Sequence, residues 1–241
     1  MNCKYNPDAI CRHNLSCIDG FLQKKDCVEK CDIYSLYQDT QTLKLLLKSN
    51  GFPKSTFTSK FEDYKGDDEE GNLLFLKEYI NSFSEESDNL YFYGDSDTQK
   101  STVARIVGKE LLKKKFSCKY ILADELIRLL AREEREDEIR DYIDKLITVD
   151  FLIIDDFEKS KMVLYESGWQ LKFIYPFLKR RIDIVQKPIL IISNSEMKKI
   201  EKDFDYSTYS LIKREINKSM QFKDLYSYES SKSNFDSLKT K

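Results

Sequence analysis

Three short apolar runs constrain this chain more than any other feature. They lie in "NLYFYG", "DFLIID" and "KPILIISN", and each is nearly continuous, too short for a helix and without the alternation of a half-exposed strand. All three read as strands, and "DFLIID" and "KPILIISN" as strands buried on both faces, as in a parallel sheet covered by helices. "CKYILA" reads as a further strand and "SMQFKDLY" as a last one. Segments with helical spacing lie between them: "NLLFLKEYINSF", "STVARIVGKELLKKK", "DELIRLLAREEREDEIRDYIDKLI" and "GWQLKFIYPFLKRRIDIV". The third is expected as one long helix capped by Asp124. The fourth is expected to kink or begin near Pro176. Strands alternating with helices predict an α/β fold of three layers, with the sheet in the middle.

Each apolar run ends in polar groups. The first ends in "GDSDTQKST", Gly94 to Thr102, which has the spacing of a phosphate-binding loop with Gln99 where a glycine usually precedes the lysine. A loop between a strand and a helix turns backbone N–H groups and the positive helix end toward an anion. Gly94, Asp95, Ser96, Asp97, Thr98, Gln99, Lys100, Ser101 and Thr102 are therefore the candidate nucleotide-binding residues. Lys100 would reach the terminal phosphates, and Ser101 would offer its hydroxyl to Mg²⁺. A glutamine in the left-handed backbone region costs roughly 1–2 kcal/mol. The second run ends in Asp155, suited to Mg²⁺, and Asp156, suited to orienting a water. The third ends in Ser193 and Asn194, and an asparagine there can touch a γ-phosphate or its water. Singly, such residues also cap strands and make turns. At three successive strand ends they point to one nucleotide site at the carboxyl edge of a parallel sheet.

On these segments the chain resembles the AAA+ ATPases that load replicative helicases, the DnaC/DnaI type, together with the IstB-type transposon ATPases. The resemblance runs from about Phe57 to Tyr228. "VDFLIIDDFE" resembles the family's Walker B segment, and "FLKRRIDIVQKPILIISN" resembles its following helix and sensor strand, which makes Asn194 the sensor. "LIKREINKSMQFKDLYSY" resembles the closing segment, where Arg214 matches an arginine finger inserted into a neighbour's ATP site. The resemblance implies a P-loop NTPase domain using ATP and Mg²⁺, with Asp156, Asn194 and Arg214 in catalytic roles. It also implies self-association and contacts with a replicative DNA helicase and single-stranded DNA. Three residues depart from the pattern: Gln99, Glu158 where the family commonly has glycine, and Glu229 where it often has arginine. Turnover is expected to be slow or absent. Arg180 and Arg181 face either an oligomer interface or DNA, or simply solvent.

Five of the six cysteines fall between Cys3 and Cys31. Cys11 and Cys17, then Cys27 and Cys31, form two pairs, a pattern suited to tetrahedral Zn²⁺, which would supply folding energy to a segment with little core. Cys3 or His13 could replace Cys11. "CIDGFL" between the pairs also resembles the zinc-bearing N-terminal module of some helicase loaders, which contacts the helicase. Tyr34 and Tyr37 either serve such a contact or pack on the zinc knuckle. Cys118 is expected to be a buried thiol. The predicted division is a zinc-binding module over 1–45, a linker over 46–70 and the ATPase domain over 71–241.

The formal net charge of −2 excludes a generally basic nucleic-acid binder, so any DNA contact must be local. No apolar stretch approaches a membrane span, and the polar N-terminus is no signal peptide, so a cytoplasmic location is expected. The sequence favours a helicase loader. A transposition regulator, or an adaptor that has lost nucleotide, stays open.

Overall fold

The structure, a computed structural model, describes side chains for residues 39–68, 71–157, 173–199, 201, 204 and 206–224, and the backbone alone for the strand and helix residues between 2 and 38 and for 171, 172 and 200. In the N-terminal segment, Cys17–Ile18, Phe21–Lys24 and Cys27–Lys30 form a small antiparallel sheet. Helix α1 (Asp32–Ser49) follows, and two short 3-10 turns (Lys54–Phe57 and Phe61–Asp63) lead into α2 (Asn72–Ser82). Strands and helices then alternate: β1 (Leu90–Tyr93), α3 (Lys100–Lys113), β2 (Cys118–Leu122), α4 (Ala123–Leu130), α5 (Asp137–Thr148) and β3 (Phe151–Asp155). The chain continues through α6 (Leu171–Lys179), β4 (Ile189–Ser193), α7 (Met197–Ile200), α8 (Tyr206–Glu215) and β5 (Lys218–Gln221). Among the described residues no helix is long and apolar enough to cross a membrane.

The five strands run parallel in the order β5-β1-β4-β3-β2. Alternate residues of each central strand feed opposite cores. Tyr91, Leu152, Ile154, Ile189 and Ile191 pack with α4, α5, α6 and α8. Leu90, Phe92, Phe151, Ile153, Leu190 and Ile192 pack with α2, α3 and the turns around Phe52 and Phe61. This period-two division between two covered faces is the reason the runs are apolar throughout. Each such buried side chain contributes roughly 1.5–3 kcal/mol. The register sets Tyr93 beside Ser193, and Ile154 beside Ile191, so all three central strands end at one edge within a residue of each other. This is the three-layer α/β architecture expected from the sequence, with the parallel sheet in the middle.

The long charged segment is two helices rather than one. α4 buries Leu126, Ile127 and Leu130, while α5 buries Ile139, Ile143, Leu146 and Ile147. On a continuous helix of about 3.6 residues per turn, the second apolar stripe would lie roughly half a turn from the first. Turns at 131–135 reset the phase so that both stripes face one core. Asp124 does not cap the helix, which opens at Ala123; it sits in the first turn and pairs with Arg128 at 3.3 Å. Pro176 lies inside α6 rather than in its first turn, and a π-helical turn over Arg180–Val185 extends that helix.

That turn carries Arg181 inward, not toward DNA, a partner or solvent. Its side chain is fully buried and donates to the carbonyls of Leu146 (3.0 Å), Ile147 (2.8 Å), Val149 (3.0 Å) and Pro188 (2.5 Å). The guanidinium thus satisfies carbonyls left open at the end of α5 and favours its negative helix end. Arg180 is half-exposed and pairs with Asp144 at 2.9 Å. Cys118 is buried, and burial pushes its thiol well above the usual range.

Arg181→Met keeps the bulk but orphans these carbonyls, so urea unfolding is expected to show a loss of about 3–5 kcal/mol. Arg180→Ala removes only a surface pair and is expected to cost less than about 1 kcal/mol in the same measurement.

Candidate functional site

β1 delivers the chain into the loop at Gly94, whose φ is +145°. A Cβ there would lie 2.0 Å from the carbonyl oxygen of Phe222. That backbone is held in place, because the Phe222 N–H donates to the Tyr93 carbonyl at 2.7 Å. Gly94 is therefore required for space as well as conformation. Asp97 and Gln99 both take left-handed backbone, with φ of 65° and 63°.

Gln99 thus adopts the shape that a glycine would take with less strain. Its side chain also makes a bond no glycine could: Oε1 accepts from the backbone N–H of Lys65 at 2.9 Å. One such bond contributes about 1 kcal/mol and offsets much of the backbone strain. The Lys65 segment is itself tied to the far edge of the sheet. Asp67 N–H donates to the Lys223 carbonyl at 3.1 Å, and the rings of Tyr64 and Phe222 meet edge to face.

Lys100 opens α3 and is only 5% exposed. Its ammonium donates to the carbonyls of Gly94 (2.8 Å) and Asp95 (2.6 Å) and to the Thr98 hydroxyl (3.1 Å). A concentrated positive charge is thereby stored against the loop at the start of a helix, where anions bind. One residue on, the Ser101 hydroxyl donates to Asp155 Oδ1 at 2.9 Å. The Asp156 N–H donates to the same oxygen at 2.8 Å. Asp156 is itself left-handed, with φ of 56°, where β3 turns away.

These groups converge on a cleft of about 320 Å³ at the carboxyl edge of the sheet. Of the residues expected from sequence, Ser96, Asp97, Gln99, Lys100, Ser101 and Thr102 line it, as do Asp155, Asp156 and Asn194. Gly94, Asp95 and Thr98 support the loop from behind through Lys100. Arg214 does not line the cleft; it is exposed on α8, paired with Asp183 at 2.7 Å and with Glu215. The side chains of Cys3, Cys11, His13, Cys17, Cys27, Cys31, Tyr34 and Tyr37 lie outside the described residues, as do Glu158 and Glu229.

Two contributors escape a reading of motifs. Arg105, one turn beyond Ser101 on the same face of α3, lines the cleft and donates from Nε to the Ser101 carbonyl at 2.7 Å. The signal was its i+4 spacing from Ser101. Tyr120, inside the apolar run of β2, donates its hydroxyl to Asp155 Oδ2. Burial, then the nearby Asp155 charge, raises the Tyr120 phenol far above its usual range, so its proton stays in that bond. A buried tyrosine hydroxyl needs a partner, and that need was the available signal.

The arrangement suits a nucleotide with Mg²⁺. Among the described residues no three His, Cys, Asp or Glu side chains cluster to hold a metal by themselves. Mg²⁺ commonly takes only one or two carboxylates and completes its shell with phosphate oxygens and water. Ser101 and Asp155 are the pair that fits, beside the loop where phosphates would lie.

Gln99→Gly loses one hydrogen bond and relieves one strained backbone position, so its stability by denaturant unfolding is expected within about 1 kcal/mol of the parent. Gln99→Val keeps the strain, worsens it by β-branching and loses the bond, and is expected to cost about 2 kcal/mol.

The chain matches the family model of IstB-like ATP binding proteins over residues 39–204. Among solved structures it is similar to the DnaC helicase loader, with a TM-score of 0.60 and 19% identity, covering 71% of this chain and 100% of that one. A putative primosome component from Streptococcus pyogenes serotype M3 gives 0.55 and 18%, covering 72% and 90%. AMPPCP-bound DnaA from Aquifex aeolicus gives 0.52 and 19%, covering 64% of this chain and 47%, about half, of the other. At these identities the likeness is one of fold. No curated protein matches.

Proposed function

The chain belongs to the IstB-like ATP-binding protein family, and from that premise we propose that it is an ATP- and Mg²⁺-binding AAA+ protein that loads a replicative DNA helicase. The observation that carries the nucleotide reading is the convergence of Lys100, the Ser101–Asp155 pair, Asp156 and Asn194 on one cleft. In this reading, the loop from Gly94 to Thr102 holds the phosphates by backbone N–H groups and the Lys100 ammonium. Ser101 and Asp155 would hold Mg²⁺, which would supply charge neutralisation to the phosphates. Asp156 orients an attacking water, and Asn194 senses the terminal phosphate. Arg214 of a neighbouring subunit completes the site, exchanging its bonds to Asp183 and Glu215 for the nucleotide. Turnover is slow, because completion needs that neighbour.

The loader assignment rests on similarity of fold to proteins named DnaC helicase loader and DnaI. Single-stranded DNA as a ligand is supported by the similar fold of a DnaA bound to AMPPCP and single-stranded DNA. Residues 1–45 form a zinc module contacting the helicase, and 46–70 lead from it into the ATPase domain of 71–241, with Phe52 and Phe61 packed into that domain's core. The zinc ligands are Cys11, Cys17, Cys27 and Cys31. A second reading, a nucleotide-deficient adaptor on the helicase, is favoured by one observation, the missing loop glycine at Gln99.

Calorimetry with ATP and Mg²⁺ separates the two. The ATPase reading expects clear binding by the parent and at least a tenfold loss in Lys100→Ala, about 1.4 kcal/mol or more. No binding by the parent, restored by Gln99→Gly, would give the adaptor reading instead. The loader assignment expects the replicative helicase of the same source to be retained in a pull-down with the full chain, and its absence overturns that assignment.

Metal analysis of the purified full chain is expected to give about one zinc per chain. A metal-free protein whose thiols all titrate freely would refute the zinc module while leaving the ATPase reading intact.

A further inference from the structure

Asp155 is held more tightly than a bare loop–carboxylate pair requires. Oδ1 accepts from the Ser101 hydroxyl (2.9 Å) and from the Asp156 N–H (2.8 Å), while Oδ2 accepts from the Tyr120 hydroxyl. Donors on both oxygens prevent the carboxylate from rotating about its own axis, and the group is almost completely buried.

Tyr120 is in turn gripped from several sides. Its backbone N–H donates to the Asn50 carbonyl at 2.9 Å. The turn that presents this carbonyl passes through Gly51 at φ +84°, where a Cβ would lie 2.2 Å from the Tyr120 backbone carbonyl oxygen. The Phe52 ring lies 5.7 Å away, centroid to centroid. The Arg105 guanidinium stands over the Tyr120 ring, 5.7 Å from its centroid, and the same side chain donates from Nε to the Ser101 carbonyl at 2.7 Å. One arginine therefore touches both residues whose hydroxyls bond Asp155. Phenylalanine would fill the same volume in this apolar strand, so the hydroxyl adds a hydrogen bond and little packing.

We propose that Tyr120 is a positioning residue for the metal end of the nucleotide site: its hydroxyl, fixed by the Asn50–Phe52 turn and Arg105, orients the Asp155 carboxylate so that Oδ1 faces Ser101 and the Mg²⁺ they would share. The inference rests on the nucleotide reading above. Partners of a metal-binding carboxylate commonly tune metal affinity by about 10–100-fold. Tyr120 therefore acts on the metal dependence of binding, through Asp155, and not on the phosphate loop.

The test is the affinity of the full-length protein for a fluorescent ATP analogue, measured across a Mg²⁺ titration and again in excess chelator, for the parent and Tyr120→Phe. The expected result is a rise of about tenfold in the Mg²⁺ concentration at half-effect, with affinity in chelator unchanged. An unchanged Mg²⁺ midpoint would show that the hydroxyl merely satisfies a buried partner, and the inference falls while the nucleotide reading stands. An equal loss with and without Mg²⁺ would show a general disturbance of the fold, with the same consequence. A parent that binds no analogue under either condition removes the nucleotide reading and this inference together.

Discussion

Burial of the three central strands on both faces is the constraint from which the rest of the structure follows. β1, β3 and β4 have no side chain that can face water, apart from those at their carboxyl ends. Helices must therefore cover both faces, and the parallel direction follows from connections that return across a face. Parallel strands send their carboxyl ends to a single edge. Polar groups kept off the two faces can stand there, and they do, as the loop that begins at Gly94, as Asp155 and as Ser193. The cleft is thus the place where a doubly covered sheet meets solvent. Its position follows from hydrophobic burial before any catalytic residue is considered.

The loop separates two demands that a glycine-rich motif usually satisfies together. At Gly94 the demand is for room, since the Phe222 carbonyl occupies the place of any Cβ. At position 99 the demand is for backbone shape alone. A glutamine meets it at a modest conformational cost and recovers part of that cost through the Lys65 N–H. The departure from the usual motif therefore falls where departure is tolerable. It also adds a connection absent from a glycine loop. The segment leading into the domain is now bonded to the loop itself, so movement of either is felt by the other.

Much of this was legible in the sequence, because it depended on local pattern. Apolar runs marked the strands, and the polar residues ending them marked the cleft. What escaped depended on phase or reach. Charged residues 132–136 continue a helical pattern, and only the half-turn mismatch between Leu126–Leu130 and Ile139–Ile147 shows that one helix cannot bury both. Arg181 looked like a surface charge beside Arg180. A guanidinium on a long flexible stem can nevertheless serve carbonyls of a helix far away in sequence, and a π-helical turn aims it there. Tyr120 read as one more strand aromatic, since nothing in "CKYIL" says which carboxylate its hydroxyl will meet.

Two charged groups of the cleft, Lys100 and Asp155, are already engaged by the protein. Lys100 is bonded to loop carbonyls and the Thr98 hydroxyl, and Asp155 to two hydroxyls and an N–H. An incoming phosphate must exchange bonds of the Lys100 ammonium, and a cation between Ser101 and Asp155 must exchange their shared bond, while the Tyr120 bond to Asp155 stays. Each exchange returns only the difference between two hydrogen-bonded states, which is small beside the full strength of either. Preorganisation acts in the opposite direction, because side chains already ordered lose little entropy when a ligand arrives. The balance favours a site that stays intact when empty and changes only a few contacts when filled. Those contacts lie next to Lys65 through Gln99, and next to the Asn50–Phe52 turn through Tyr120. Both connections lead toward the N-terminal side of the domain, to residues 50–65, which join α1 to the sheet.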